Sequence, residues 1–198
     1  VRGVCGKSEK VANLQDLLIY TLKGISFYST EGRKQGITDK KVDDFIIKSL
    51  FATVTNVNFA AEDFVSRIEK AVELREKIKN KINTDKIEKD IPEMATWKPE
   101  NKEDIYEKAE NIGVLDTEDE DIRSLRELLT YGVKGMAAYT DHAQILNKYD
   151  EDIPAFIQEA LAATTDDSLS VDELIDYVMK CGEYGVNAMA LLDDANTS

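Results

Sequence analysis

The sequence predicts an all-α fold made of two tandem, duplicated three-helix bundles that are joined by a partly helical linker. The main observation is an internal repeat: residues 13–30 and 124–141 align without a gap at an offset of 111 and share seven of eighteen positions. The identical pairs are Leu14/Leu125, Leu17/Leu128, Leu18/Leu129, Tyr20/Tyr131, Lys23/Lys134, Gly24/Gly135 and Tyr28/Tyr139. Proline is also scarce, with three in 198 residues, as suits long helices.

Each copy of the repeat has the period of an amphipathic helix, with apolar residues at i, i+3, i+4, i+8 and i+11. These are Leu14, Leu17, Leu18, Leu22 and Ile25 in the first copy, and Leu125, Leu128, Leu129, Val133 and Met136 in the second. Ser124 with Glu127 predicts a capping box, and Asn13 with Asp16 a weaker equivalent.

The glycine in the middle of each copy, Gly24 or Gly135, costs about 1 kcal/mol relative to alanine in a helix. We therefore expect another backbone or a bulky ring to pack against both glycines. A tolerated glycine on an exposed turn is the alternative.

The likeness continues into two further helices. Residues 39–53 face 150–164 at the same offset, with Asp39 and Asp150 at the expected N-caps and Pro154 near the first turn. After a one-residue shift, residues 62–72 align with residues 172–182, and here only the pattern of apolar and polar residues is alike. The predicted helices are 13–32, 39–55, 61–82, 123–148, 151–165 and 171–192. Gly32 or Gly36 is expected to end the first helix.

This pattern divides the chain into a loop at 1–12, a first bundle at 13–82, a linker at 83–121 and a second bundle at 122–198. In the linker we predict a helix at 102–112 and expect the polypeptide to pack across both bundles, since long structureless loops are uncommon. Trp97 is expected to fold against a bundle, and anchoring a partner is the alternative. The small residues Gly182, Gly185 and Ala188 predict a docking surface.

Composition excludes several classes of function. The net charge of −14 argues against nucleic-acid binding, which needs a basic face. No apolar run has the roughly 18 to 20 residues of a membrane span, and no secretory signal pattern opens the chain. Two cysteines give no disulfide framework, which favours a cytoplasmic location. The acidic run 116–121 lacks the spacing and glycine of a calcium loop and indicates a solvated linker.

Candidate chemistry is sparse. His142 has no cysteine or second histidine nearby, so a surface or capping role is favoured over metal binding. Phosphate-binding, dinucleotide-binding and nucleophile-elbow glycine patterns are absent from the sequence. Cys5 lies in a glycine-flanked loop, R-G-V-C-G-K, which would let backbone amides approach a cluster sulfur. Cys5 is therefore the candidate cofactor and metal ligand, with an incidental free thiol as the alternative.

The start VRGVCGKSEKVANLQDLLIYTLKGIS and the end YGVNAMALLDDANTS resemble the N-terminal helical region of hybrid cluster protein, also called prismane protein or hydroxylamine reductase. The resemblance covers all 198 residues and extends to the helical region of nickel carbon monoxide dehydrogenases. It implies an iron–sulfur oxidoreductase that reduces hydroxylamine to ammonia and deals with nitric oxide.

In that family four cysteines near the N-terminus hold an iron–sulfur cluster, and Cys5 matches the last of them. The resemblance places the other three upstream of Val1, and the residues that hold the hybrid iron–sulfur–oxygen cluster in later domains. Cys181 matches no family ligand. The chain is then an inactive helical scaffold fragment without a cluster of its own. Its expected partners are the remaining domains of the parent chain, with a homo-oligomer as a further partner.

Two other readings remain open from the sequence. One is a stand-alone helical interaction module that uses the acidic linker as its binding face. The other is a small metalloenzyme in its own right.

Overall fold

The computed structural model describes residues 6–54, 60–113 and 117–197, and within these ranges every regular element is helical. The seven α-helices are α1 (Glu9–Lys34), α2 (Lys40–Val54), α3 (Ala61–Lys79), α4 (Lys102–Asn111), α5 (Glu120–Ile145), α6 (Asp152–Ala163) and α7 (Val171–Thr197). Two 3₁₀ turns, Thr84–Lys86 and Glu93–Ala95, lie between α3 and α4. The predicted all-α class is confirmed.

The helix starts follow the capping residues, though not always the predicted ones. Asp39 and Asp150 accept backbone amides at the starts of α2 and α6, as expected. α1 begins earlier than predicted, because the Ser8 hydroxyl accepts the amide of Val11. α5 also begins earlier, because Asp119 accepts the amides of Asp121 and Ile122. The predicted capping box at Ser124 is therefore wrong.

The two glycines at the end of α1 have different roles. Gly36 has a φ of +75°, the left-handed conformation that ends helices, so it is the terminating glycine. Gly32 remains inside α1. A Cβ there would lie 3.1 Å from the Ile82 side chain and 3.3 Å from the Ile37 carbonyl oxygen, so Gly32 allows the following chain to pack closely.

The chain forms two compact units, 1–38 with 55–116 and 39–54 with 117–198. In unit 1, α1 packs against α3, α4 and the Glu93–Ala95 turn. Its core includes a cluster that spans α1, α3 and the linker. The buried members are Phe27, Tyr28, Ile78, Ile82 and Ala95. The described linker, 83–113, thus belongs to unit 1.

Unit 2 combines α5, α6 and α7 with α2. This grouping differs from the predicted first bundle, 13–82, because α2 packs on α5 and α6. Four aliphatic side chains of α2 are fully buried: Val42, Ile46, Ile47 and Leu50. Asp43 accepts a 2.7 Å hydrogen bond from the buried Gln158 amide of α6. The positions of the helices were therefore predicted more accurately than the way in which the helices pack together. The helical period identifies which face of a helix is buried, but not which helix covers that face.

Among the described residues, no helix is both long enough and apolar enough to cross a membrane.

Candidate functional site

Cys5, the predicted cluster ligand, lies outside the described residues. Cys181 is a free, buried cysteine on α7. Its Sγ lies against Gly132 of α5, where an added Cβ would come within 2.5 Å of the sulfur. Burial raises the pKa of the Cys181 thiol. Because the thiolate is the form that binds metals and attacks electrophiles, this environment favours a packing role for Cys181.

His142 is an exposed residue near the end of α5. Its ring meets the Phe51 ring of α2 edge to face, with centroids 5.2 Å apart. Across 6–54, 60–113 and 117–197 no three His, Cys, Asp or Glu residues are grouped as metal ligands would be. The described geometry therefore gives His142 a contact with an aromatic ring and places no ligand set around it.

A buried polar arrangement in unit 1 fixes the linker over α1. Arg75, on α3, is among the largest fully buried side chains. Its Nη1 donates to the carbonyl oxygens of Met94 at 3.0 Å and Trp97 at 2.6 Å. Its Nε and Nη2 donate to Glu76 at 3.1 and 2.8 Å. A guanidinium offers five donors in a rigid fork, so one side chain can hold two linker carbonyls and its counter-ion.

The linker held by Arg75 covers Gly24. A Cβ on Gly24 would overlap the Met94 carbonyl oxygen and lie 2.7 Å from the carbonyl carbon, so only glycine allows this backbone approach. The expectation that another backbone packs there is confirmed for Gly24. It is wrong for Gly135 as far as the described part of the chain shows, because no atom of residues 6–54, 60–113 or 117–197 lies within 4 Å of its ideal Cβ position. For Gly135 this result favours the alternative of a tolerated glycine.

Side chains around Gly24 also hold the linker against α1. The Trp97 ring meets the Tyr20 ring at 77° with centroids 6.3 Å apart, which confirms that Trp97 folds against the bundle. A hydrogen bond from Lys108 holds the pKa of Glu93 below its usual value. Burial, with the neighbouring Glu93 carboxylate, raises the pKa of Tyr20 well above its usual value. The site is thus a neutral phenol beside a carboxylate–ammonium pair.

Sequence reasoning missed Arg75, although a signal was present. Val65, Ile68 and Val72 occupy one stripe of α3, and Arg75 continues it at the next helical position. A charged residue in an apolar stripe must be paired when it is buried. That rule would have singled out Arg75, although not the carbonyls that it binds.

The chain's own residues do not make up an iron–sulfur cluster site. Such clusters are held by sets of four cysteines or by mixed cysteine and histidine sets. The sequence has two cysteines and one histidine, and Cys181 is packed against Gly132. Cys5 is the one cysteine whose surroundings the structure does not describe. A cluster at Cys5 would need ligands from outside this sequence.

Comparison with known proteins identifies the class of this helical chain. The model of the Prismane/CO dehydrogenase family matches residues 1–198, and the chain belongs to that family. Relatives named hydroxylamine reductase match along the whole chain. Those of Natranaerobius thermophilus, Halothermothrix orenii and Clostridium tetani are 54%, 53% and 50% identical to it. The chain spans 37% of the first two and 39% of the third.

Proposed function

We propose that this chain is a helical scaffold segment of a hydroxylamine reductase. The observation that carries the proposal is the 54% identity to the Natranaerobius thermophilus hydroxylamine reductase over the whole chain, which corresponds to 37% of that protein. The parent protein would reduce hydroxylamine with two electrons and two protons to ammonia and water. Nitric oxide is a second substrate that the resemblance suggests.

In this proposal the helices support redox centres that lie elsewhere in the parent. Cys5 would be the last of four cysteines that hold an iron–sulfur cluster, with the other three preceding Val1. The hybrid iron–sulfur–oxygen cluster would lie in the remaining domains, which are the main partners of this chain. The parent is proposed to act in the cytoplasm, where cysteines remain reduced.

The activity test compares this chain with the uninterrupted reading frame that contains it. Both are purified without oxygen and assayed for ammonium formed from hydroxylamine with a reduced viologen as electron donor. We expect ammonium from the longer protein and none from the chain of 198 residues. A longer protein that binds iron but forms no ammonium would contradict the proposed reaction. Stoichiometric iron and turnover in the short chain would contradict the scaffold role.

A second test addresses Cys5, and the chain offers a matched control. Cys5→Ser in the parent should remove the iron of one cluster and its electron paramagnetic resonance signal. Cys181→Ser should leave the iron content unchanged, because Cys181 packs against Gly132 inside unit 2. Equal iron content in wild type and Cys5→Ser would show that Cys5 is not a ligand.

The stand-alone interaction module has less support. Its proposed binding face was the acidic linker. The described residues of the acidic run, 117–121, form the N-terminal end of α5 and its cap. Asp119 caps the helix, and the Arg123 guanidinium donates to the Thr117 carbonyl oxygen at 3.0 Å. A reading frame that begins at Val1 and stops after Ser198 would favour this module over the reductase.

A further inference from the structure

α5 carries an exposed apolar stripe in unit 2. Leu128, Tyr131, Gly135 and Tyr139 are spaced i, i+3, i+7 and i+11, so they lie on one face of the helix. The three side chains are exposed, Tyr131 at 70% and Leu128 at 55%. Gly135, in the middle of the stripe, adjoins open space. We call these four residues the α5 stripe.

α7 adds a second exposed apolar surface beside α5. α7 packs on α5 at Cys181, and on α6 through Tyr177 and Tyr184. Its remaining face presents four exposed apolar side chains: Ile175, Met179, Val186 and Met189. A soluble protein rarely exposes several large apolar residues on neighbouring helices unless a partner covers them.

The α5 stripe has a counterpart in α1 that is fully covered. The aligned residues are Leu17, Tyr20, Gly24 and Tyr28, and the three side chains are buried. The linker segment 93–97 covers the middle of this stripe: the Met94 carbonyl lies directly on Gly24, and the Trp97 ring meets the Tyr20 ring. In α1, the glycine of this sequence pattern therefore allows another segment of backbone to cross the helix in close contact.

The internal repeat indicates where the corresponding cover would lie. α5 follows α1 by 111 residues, and α7 follows α3 by 110. Shifted by the same distance, the segment that covers Gly24 falls about five to ten residues beyond Ser198. Relatives that match the whole chain are far longer than it, since it spans 37% of their length.

α7 also indicates how that cover would be held. At the offset of 110, Gly185 takes the position of Arg75, and it too adjoins open space. No guanidinium is therefore available from this position to bind the carbonyls of a crossing segment. The exposed Tyr131, Met179 and Met189 side chains offer apolar contact instead, so we expect the cover to bring large apolar or aromatic side chains of its own.

The geometry points to the α5 stripe and the exposed face of α7 as the surface that binds the polypeptide that directly follows Ser198 in the parent protein. We call this binding surface the seat. This segment crosses Gly135 as residues 93–97 cross Gly24. The inference rests on the proposed function, because it requires the chain to continue.

Site-specific crosslinking in the parent protein tests the seat. A benzophenone amino acid replaces Tyr131 in the uninterrupted reading frame, and the crosslinked peptides are identified by mass spectrometry. Tyr149, exposed in unit 2 with the Lys40 ammonium 4.1 Å from its ring centroid, is the control position outside the stripe. We expect position 131 to crosslink to residues that directly follow Ser198, and position 149 not to do so.

The other outcomes overturn the inference separately from the proposed function. Crosslinks from position 131 to a distant part of the parent, to a second copy, or to nothing would refute the seat while leaving the reductase assignment to its own assay. A reading frame that stops after Ser198 would refute both.

A substitution at Gly135 gives a second readout. In the short chain, Gly135→Ala should raise the Tm by about 2–4 °C, because alanine favours the helix and meets no atom. In the parent it should lower the Tm, because the new Cβ would meet the crossing backbone. Gly24→Ala should lower the Tm in both proteins and is the control. A rise on Gly135→Ala in both proteins would overturn the inference.

Discussion

α1 and α5 have closely related sequences but different surroundings. α1 is covered by α3, α4 and the linker turn, so that even Tyr20 is only 8% exposed. The aligned Tyr131 of α5 is 70% exposed. The shared pattern specifies a helix with an apolar stripe and a central glycine, while the cover comes from a segment that is distant in sequence. Similarity between two helices therefore does not establish that they have the same neighbours.

The two units also differ in how their paired helices meet. α5 has Gly132 against Cys181 of α7, whereas the aligned positions of unit 1 are Thr21 and Ala71. The larger residue is on the first helix in unit 1 and on the last helix in unit 2. Thr21 returns its hydroxyl to the Leu18 carbonyl oxygen at 2.8 Å, so its polar group is satisfied within α1. The two aligned pairs thus carry the larger side chain on opposite helices.

The largest expected effect comes from removing the residue that holds the cover in unit 1. Arg75→Ala leaves the Met94 and Trp97 carbonyl oxygens without their donor and empties a fully buried position. We expect a loss of about 3–5 kcal/mol in the free energy of unfolding of unit 1. Peptide-resolved hydrogen exchange measures this loss of stability. We expect faster exchange in α1 and α3 and unchanged exchange in α5 and α7.

The control for this variant is Arg67→Ala on the same helix. Arg67 pairs with Asp63 four residues earlier, and both side chains are partly exposed. Exposed pairs of this kind contribute about 0.3–0.5 kcal/mol. Similar losses for the two variants would mean that Arg75 stabilises α3 locally and does not hold the linker.

The next largest effect is expected at Gly24. In Gly24→Ala the new Cβ overlaps the Met94 carbonyl group, and the backbone cannot turn away as a flexible side chain would. Overpacking of this kind costs about 1–3 kcal/mol, against which alanine's better helix propensity recovers about 1 kcal/mol. Urea unfolding monitored by Trp97 fluorescence reports this loss in unit 1. A midpoint equal to or above that of wild type would show that the linker lifts off α1 at little cost.

The sequence predicted the helices well because their signals are local. The apolar period located α2 and α6, and Asp39 and Asp150 marked their starts correctly. Among candidate site residues, Trp97 was correctly expected to pack against a bundle. Cys5 remains a prediction.

What the sequence did not predict depends on distant partners. The same glycine in the same pattern adjoins the Met94 backbone in α1 and open space in α5, and nothing within the helix distinguishes the two cases. The grouping of α2 with α5 and α6 depends on complementary surfaces that periodicity does not encode. The role of Arg75 required knowledge of two carbonyl groups about 20 residues further along the chain.

The contact between α5 and α7 allows a third test, in which one substitution compensates for another. Gly132→Ala brings a methyl group within 2.5 Å of the Cys181 sulfur and should cost about 1–2 kcal/mol in unit 2. Adding Cys181→Ala removes the sulfur and brings the pair closer to the arrangement of unit 1. A double-mutant cycle should then give a favourable coupling of about 1 kcal/mol. Additive losses would mean that the two residues do not share the strain.

The smallest predicted effect concerns alkaline pH. Burial, with the Glu159 carboxylate beside it, raises the pKa of Tyr177 to about 12 from an ordinary value of 10.0. The hydroxyl donates to Glu159 at 3.3 Å. Because the unfolded state loses this proton first, the stability contributed by Tyr177 is complete below pH 10 and falls as the pH rises towards 12. The loss at about pH 11 should be on the order of 1 kcal/mol.

Tyr177→Phe should make the unfolding free energy of unit 2 less dependent on pH within this window. Tyr20 belongs to unit 1, so peptide-resolved exchange at each pH separates its contribution from that of Tyr177. If Tyr177→Phe kept the wild-type slope, the alkaline sensitivity of unit 2 would have to come from another group, such as the buried Cys181 thiol, whose pKa is raised as well.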